Sequence, residues 1–315
     1  MQRVRPSDRF PHAAFHINGP LLTPKEPGPG QYGGFLGHGY DPLLIGDVTE
    51  DPTLKWLSSP VDVSSHRRAA RRQLSAELDR LGPSASSVPG VHYDLVRKAY
   101  DLIDSPRVRD AFDLGQEPVG VRDRYGRYRG GQACLLARRL VEAGVPWITV
   151  FFNHNIRGQD DHPELADEYG WDTHNDIFEV MATHLLPRFD HSLSALLEDL
   201  EQRGLLKDTL VVCMGEFGRS PVVAVERNFK GSSPGRKHWA QCYSVMLAGA
   251  GIRRGAVYGS SDRQGAYSQT NPVTPGDLSA TMLDALGIPA ETHFTDLANR
   301  PHRITTGNPV TALFG

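Results

Sequence analysis

The chain has 315 residues, 39% of them hydrophobic and 23% charged, with a formal net charge of −3. That balance suits a globular protein with a large core, and it excludes a nucleic-acid surface or a tail built on excess charge. No run reaches ~18 apolar residues, so no membrane span is expected. The basic start, Met1-Gln2-Arg3-Val4-Arg5-Pro6, lacks the apolar core of an export signal. Cys134, Cys213 and Cys242 form no Cys-x-x-Cys pair, which argues against a cysteine zinc site or a disulfide framework. Each sits in an apolar run and is expected as a buried thiol.

Residues 1–62 are rich in breakers. Pro24, Pro27, Gly28, Pro29 and Gly30 precede Gln31-Tyr32-Gly33-Gly34-Phe35-Leu36-Gly37 and Tyr40-Asp41-Pro42. Turn chemistry predicts a loop-rich surface wrap here. A helical excursion over 63–128 follows. Val63 to Leu81 reads as a helix with Leu74, Leu78 and Leu81 on one face, and Arg67, Arg68, Arg71 and Arg72 read as a solvated face. A Ser/Pro/Gly linker at 82–90 leads to a helix from Tyr93 to Ile103, and Ser105-Pro106 opens a short one with Val108, Ala111 and Phe112 inward.

The core elements are expected over 129–315. Gly130 to Ala143 is a helix closed by Gly144, and Val145 to Phe152 reads as a buried strand. Phe178, Met181, Leu185, Phe189, Leu193, Leu196 and Leu200 recur at helical spacing, with a kink expected at Pro187 and an end at Gly204. Thr209 to Met214 and Cys242 to Ala248 read as two further strands, and Pro275 opens a last helix to Leu286. Apolar strands alternating with helices predict a single α/β domain over 1–315 with a mostly parallel, doubly covered sheet.

Three stretches carry chemistry-bearing residues. Trp171-Asp172-Thr173-His174 precedes the long helix, Gly215-Glu216-Phe217-Gly218-Arg219 follows the second apolar run, and Lys237-His238-Trp239 precedes the third. Asp172, His174, Glu216 and His238 would make a mixed nitrogen and oxygen shell for a divalent metal, Zn²⁺ or Mn²⁺ rather than Ca²⁺. Arg219 is positioned either to hold an anionic substrate or to pair with Glu216. Asp176 reads as the helix N-cap ahead of a ligand. The loop 153–170, with His154, Asp160, Asp161 and His162, reads as solvated, and His184 and His191 are not expected as ligands. Gly231-Ser232-Ser233-Pro234-Gly235 matches the nucleophile-elbow string, but its polar loop lacks the strand-to-helix context. Gly249-Ala250-Gly251 reads as a strand-end turn rather than a dinucleotide fingerprint.

Several of these segments together, from Gln31-Tyr32-Gly33-Gly34 through Leu140-Val141-Glu142-Ala143-Gly144 to Trp171-Asp172-Thr173-His174, Gly215-Glu216-Phe217-Gly218-Arg219 and His238-Trp239, carry a family likeness. The chain resembles the bacterial domain-of-unknown-function 1501 family, a sulfatase-like branch of the alkaline-phosphatase-like superfamily. The resemblance implies an α/β/α sandwich that hydrolyses phosphate or sulfate esters at a metal centre, with an anionic ester or glycan as substrate. Asp172, His174 and His238 would then bind one metal, with Glu216 where the superfamily has Asp. Phe217 stands where the superfamily has His, and Asp172-x-His174 is tighter than its usual Asp-x-x-x-His. The likeness also implies a chain that begins after the superfamily's first metal-binding Asp and Ser/Thr nucleophile, N-terminally truncated, in a family that is commonly exported. The alternative expectation is a catalytically incomplete relative with a binding or assembly role.

Overall fold

The computed structural model describes residues 1, 4–19, 30–49, 63–80, 91–152, 170–229, 231–296 and 298–315. The expected linker at 82–90, the prolines between 24 and 29, and the loop carrying His154, Asp160, Asp161 and His162 lie outside them. The protein is mixed α/β, and its described residues group into two compact units, one within 1–152 and one within 170–315.

In the first unit, β1 (Ala14–Ile17) is the centre of a three-stranded parallel sheet, flanked by β2 (Leu43–Ile45) and, much later in the chain, β3 (Trp147–Val150). Phe15 pairs with Leu43 on one side and Ile148 on the other. Two of these strands therefore come from the stretch read as loop. Four and three residues are too few to show a period, and His16 interrupts the apolar run. Tertiary packing makes the strand: Phe15 and Ile17 are fully buried, and the Phe15 ring meets Phe10 and Phe112 at centroid distances of 5.8 and 5.7 Å.

Between β2 and β3 run α1 (Ser65–Arg80), α2 (Val91–Asp104), α3 (Pro106–Phe112), α4 (Val119–Tyr125) and α5 (Arg129–Ala143). The expected start of α3 holds: the Ser105 hydroxyl accepts the Val108 N–H, and Val108, Ala111 and Phe112 are buried. Gly144 closes α5 in the left-handed conformation, φ 96°. The α1 arginines are not merely solvated: Arg68 reaches Asp104 at 3.0 Å and Arg72 reaches Asp101 at 2.5 Å, tying α1 to α2. Leu74, expected to face inward, is exposed; Leu78 and Leu81 lie outside the described side chains.

One titration in this unit has a clear sign. Burial, helped by the charge of Lys98, pushes the His12 imidazole down from 6.5 to about 4. The unfolded chain takes up that proton near its ordinary value while the folded chain does not. His12 therefore contributes stability above about pH 6.5 and loses it as pH falls toward 4, at no more than ~1.4 kcal/mol per pH unit. Urea midpoints measured from pH 7 to pH 5 should fall more steeply for the wild type than for His12→Gln. Parallel slopes would refute this assignment.

In the second unit, α6 (Ile177–Val180) passes through a π-helical turn at Met181–Leu185 into α7 (Leu186–Gln202). Pro187 has no N–H to give and its ring crowds the carbonyl four residues back, so the chain widens just before it. The wider turn rotates the apolar stripe. Leu185 and Leu200 are buried, whereas Phe178, before the turn, is exposed and lies 5.5 Å from the Arg236 guanidinium. The remaining elements are β4 (Val211–Cys213), β5 (Gly218–Arg219), β6 (His238–Trp239), β7 (Met246–Ala248), β8 (Ser260–Ser261), β9 (Ser268–Thr270), α8 (Pro275–Ala285), β10 (His293–Thr295) and β11 (Pro301–Arg303). Helix α8 starts on a full capping box between Thr274 and Asp277.

The expectation of a mostly parallel sheet holds for β1 to β3 and not here. β4 and β7 pair antiparallel, Val212 opposite Leu247. A parallel return needs a crossover, usually a helix; the described residues between these strands form turns and the short β5–β6 ladder instead. Of the three cysteines Cys134 is buried and Cys213 and Cys242 are half-buried, all free. Burial pushes the Cys213 thiol up to about 11. Gly249, Ala250 and Gly251 all have positive φ, the strand-end turn expected from their sequence.

Candidate metal centre

The site is one irregular hairpin folded over one turn. β5 pairs with β6 (Gly218 with Trp239, Arg219 with His238), and the ladder continues through Ser220 N–H to Lys237 O and a bridge between Ala224 and Gly235. Beneath it runs the segment from Trp171 to Asp176. Arg236 N–H donates to His174 O at 3.2 Å, and Asp176 N–H donates to Ser233 O at 3.0 Å. Gly235 allows this approach, because a β-carbon there would lie 1.4 Å from His174 O.

Asp172 is the hub. Its Oδ1 lies 2.6 Å from His238 Nε2, 3.2 Å from His174 Nε2 and 3.6 Å from Arg219 Nη2. Ligand atoms of Asp172, His174 and His238 all fall within 4.8 Å of one another, close enough to share an ion. His174 is buried, while Asp172 and His238 remain accessible. Burial is the largest influence on the Asp172 carboxyl and raises it. The His238 hydrogen bond and the charges of His238, His174 and Arg219 together outweigh burial and hold it below its ordinary value. A carboxylate kept ionised between two imidazole nitrogens is a mixed oxygen and nitrogen donor set that could hold a metal ion.

Glu216 is exposed and lies outside the three-residue group. Arg219 turns toward Asp172, donating through Nη2 to Trp171 O at 3.0 Å and through Nη1 to Arg236 O at 3.3 Å. Burial lowers its guanidinium, and the charges of Asp172, Glu216 and Glu226 oppose that without cancelling it. Phe217 lies against the His238 ring, centroids 4.6 Å apart.

Asp176 occupies the helix start but does not cap it with its side chain. At φ 55° its carboxylate turns away and accepts the N–H groups of Ser232 and Ser233 at 3.2 and 2.6 Å. Ser233 is thus the backbone partner of Asp176 in a loop followed by a strand, without the helix a nucleophile elbow requires.

Two further residues at the site were not expected there from the sequence. Glu226 Oε1 lies 3.0 Å from His174 Nδ1. Asn175, fully buried, accepts the Glu226 N–H at 2.8 Å and donates to Glu226 O at 2.9 Å and Phe229 O at 3.1 Å. The Phe229 ring stacks on His174 at 3.7 Å and 9°. A lone carboxylate directly after Val222-Val223-Ala224-Val225 is the only cue Glu226 offers.

These features define a mixed α/β protein with a candidate three-residue metal centre. The chain belongs to the family described as Protein of unknown function (DUF1501), whose model matches residues 9–314. No curated protein and no solved structure matches it.

Proposed function

We propose that the protein is a metal-dependent hydrolase of phosphate or sulfate esters, of the sulfatase-like kind within the alkaline-phosphatase-like superfamily. The observation that carries the reading is the convergence of Asp172, His174 and His238 around one point, with the Arg219 guanidinium 3.6 Å from Asp172. Asp172 Oδ1 and the two imidazole Nε2 atoms would hold a Zn²⁺ or Mn²⁺ ion and leave part of its coordination shell open, as hydrolytic sites do. The ion would supply Lewis-acid polarisation of the ester oxygen. Arg219, anchored by two backbone carbonyls, would orient the anionic head group beside it. Phe229 covers a face of the His174 ring and Phe217 lies tilted against His238, and both limit how the histidines turn. The sandwich architecture goes with this reading; its support is the motif set and the parallel β2-β1-β3 sheet.

A second reading, binding or assembly without turnover, draws on a specific observation. Among the described residues one group of three donors is close enough to share an ion, and Phe217 rather than a ligand lies beside His238.

Elemental analysis tests the metal. Wild-type protein should carry near-stoichiometric Zn or Mn, and Asp172→Ala and His238→Ala should each lose it. A folded wild type that takes up no divalent metal would sink the hydrolase reading. Metal uptake without turnover across phosphate and sulfate esters would favour the second.

A further inference from the structure

His174 differs from His238 in one respect that bears on any ion held here: both of its ring nitrogens have a carboxylate opposite. Nε2 faces Asp172 Oδ1 at 3.2 Å and Nδ1 faces Glu226 Oε1 at 3.0 Å. A neutral imidazole carries one proton, and only the nitrogen without it can give its lone pair to a cation. An acceptor beside Nδ1 draws the proton there and leaves Nε2 free toward Asp172 and His238.

Glu226 does not reach that place as a loose side chain. Its own N–H and C=O are both held by the Asn175 amide, at 2.8 and 2.9 Å, and Asn175 is the residue next to His174. The same amide also holds Phe229 O at 3.1 Å, and the Phe229 ring lies flat on the imidazole at 3.7 Å. One fully buried side chain therefore sets both the carboxylate at the edge of His174 and the aromatic ring on its face. A surface ion pair would need neither, and the Glu226 side chain is only 12% exposed.

We propose that Glu226, held by Asn175, is the positioning residue of the metal centre: it selects the His174 tautomer and ring orientation that bind the ion. The assignment rests on the metal-site reading above. Outer-shell carboxylates of this kind set affinity, and their loss weakens metal binding about 10- to 100-fold. Asn175 acts one step further out, through the backbone of Glu226.

Zn²⁺ affinity of the full chain, measured by competition with a chromophoric chelator, tests it alongside the unfolding midpoint of each metal-free variant. Glu226→Ala should bind Zn²⁺ about 10- to 100-fold more weakly than wild type. Glu226→Gln, whose amide oxygen still accepts the Nδ1 proton, should recover part of that loss. Asp172→Ala should bind none. A carboxylate with a purely structural role would lower the metal-free midpoint and leave the affinity of the folded protein unchanged, which overturns the proposal while the metal site stands. Wild type that binds no Zn²⁺ removes the site and the assignment of Glu226 together. If Glu226→Ala does not fold, Glu226→Gln decides: affinity equal to wild type in Glu226→Gln and in Asn175→Ala together would refute the arrangement.

Discussion

Glu117→Ala should destabilise the protein by about 3–5 kcal/mol, read as a lower urea midpoint, because it removes the buried carboxylate that Arg138 and Arg139 share. Arg138 is 0% exposed, and its Nη2 lies 2.8 Å from Glu117 Oε2, whose side chain is itself buried. Arg138 Nη1 also reaches Glu142 at 2.9 Å, but that carboxylate is half exposed. Arg139 pairs with the other oxygen of Glu117. Burial is the largest influence on the Glu117 carboxyl and raises it; the two arginines outweigh it and hold the group below its ordinary value. The sign follows: this stability is present above the ordinary carboxylate value and disappears as pH falls through the depressed one. Removing the whole pair differs from removing one partner. Glu117→Leu combined with Arg138→Met should be less damaging than Glu117→Ala alone, since it removes the fully buried guanidinium with its carboxylate and leaves Arg139 on the Ala111 and Asp110 carbonyls. A Glu117→Ala midpoint indistinguishable from wild type would show that Glu142 alone is enough to hold Arg138.

Gly235→Ala should both destabilise the second unit, on the order of 3 kcal/mol, and abolish Zn²⁺ binding. The added methyl carbon would sit 1.4 Å from His174 O and 3.0 Å from Asn175 Cα, and neither backbone atom can swing aside as a side chain could. The hairpin has to lift away from residues 174–176. That breaks the Arg236 to His174 bond, the Asn175 clamp on Glu226 and Phe229, and the Asp176 contacts to Ser232 and Ser233. Each such bond is worth about 1 kcal/mol net, and their loss carries His238 away from Asp172 as well. Thermal melting with and without Zn²⁺ measures both effects. A variant that melts and binds Zn²⁺ like wild type would mean that the hairpin does not pack as tightly as these distances require.

Much of the helical architecture is legible in the residues because its determinants are local. Ser105-Pro106 capping α3, Thr274 and Asp277 boxing α8, and Gly144 ending α5 each act within one turn of chain. The residue types at the candidate metal centre are local as well: Asp172, His174 and His238 are readable as donors before their distances are known. Their convergence is a different matter. It depends on Gly235 letting a hairpin lie against His174, a contact across 61 positions that no spacing rule encodes. The same contact places Glu226 and leaves Glu216 exposed, although both are carboxylates following apolar runs.

Strand β1 makes the same point for the fold. Ala14-Phe15-His16-Ile17 is too short to display a period, and it becomes the middle of a sheet only because β2 and β3 come to lie on either side of it. Sequence alone indicated where several of the helices, though not α4, start and stop, which residue types could hold an ion, and the family to which the chain belongs. The tertiary structure decided which of those donors meet, which carboxylate backs His174, and which short segments are strands. Capping and periodicity act between neighbours in the chain, whereas a three-residue site and a strand pairing depend on close approach between segments far apart in it.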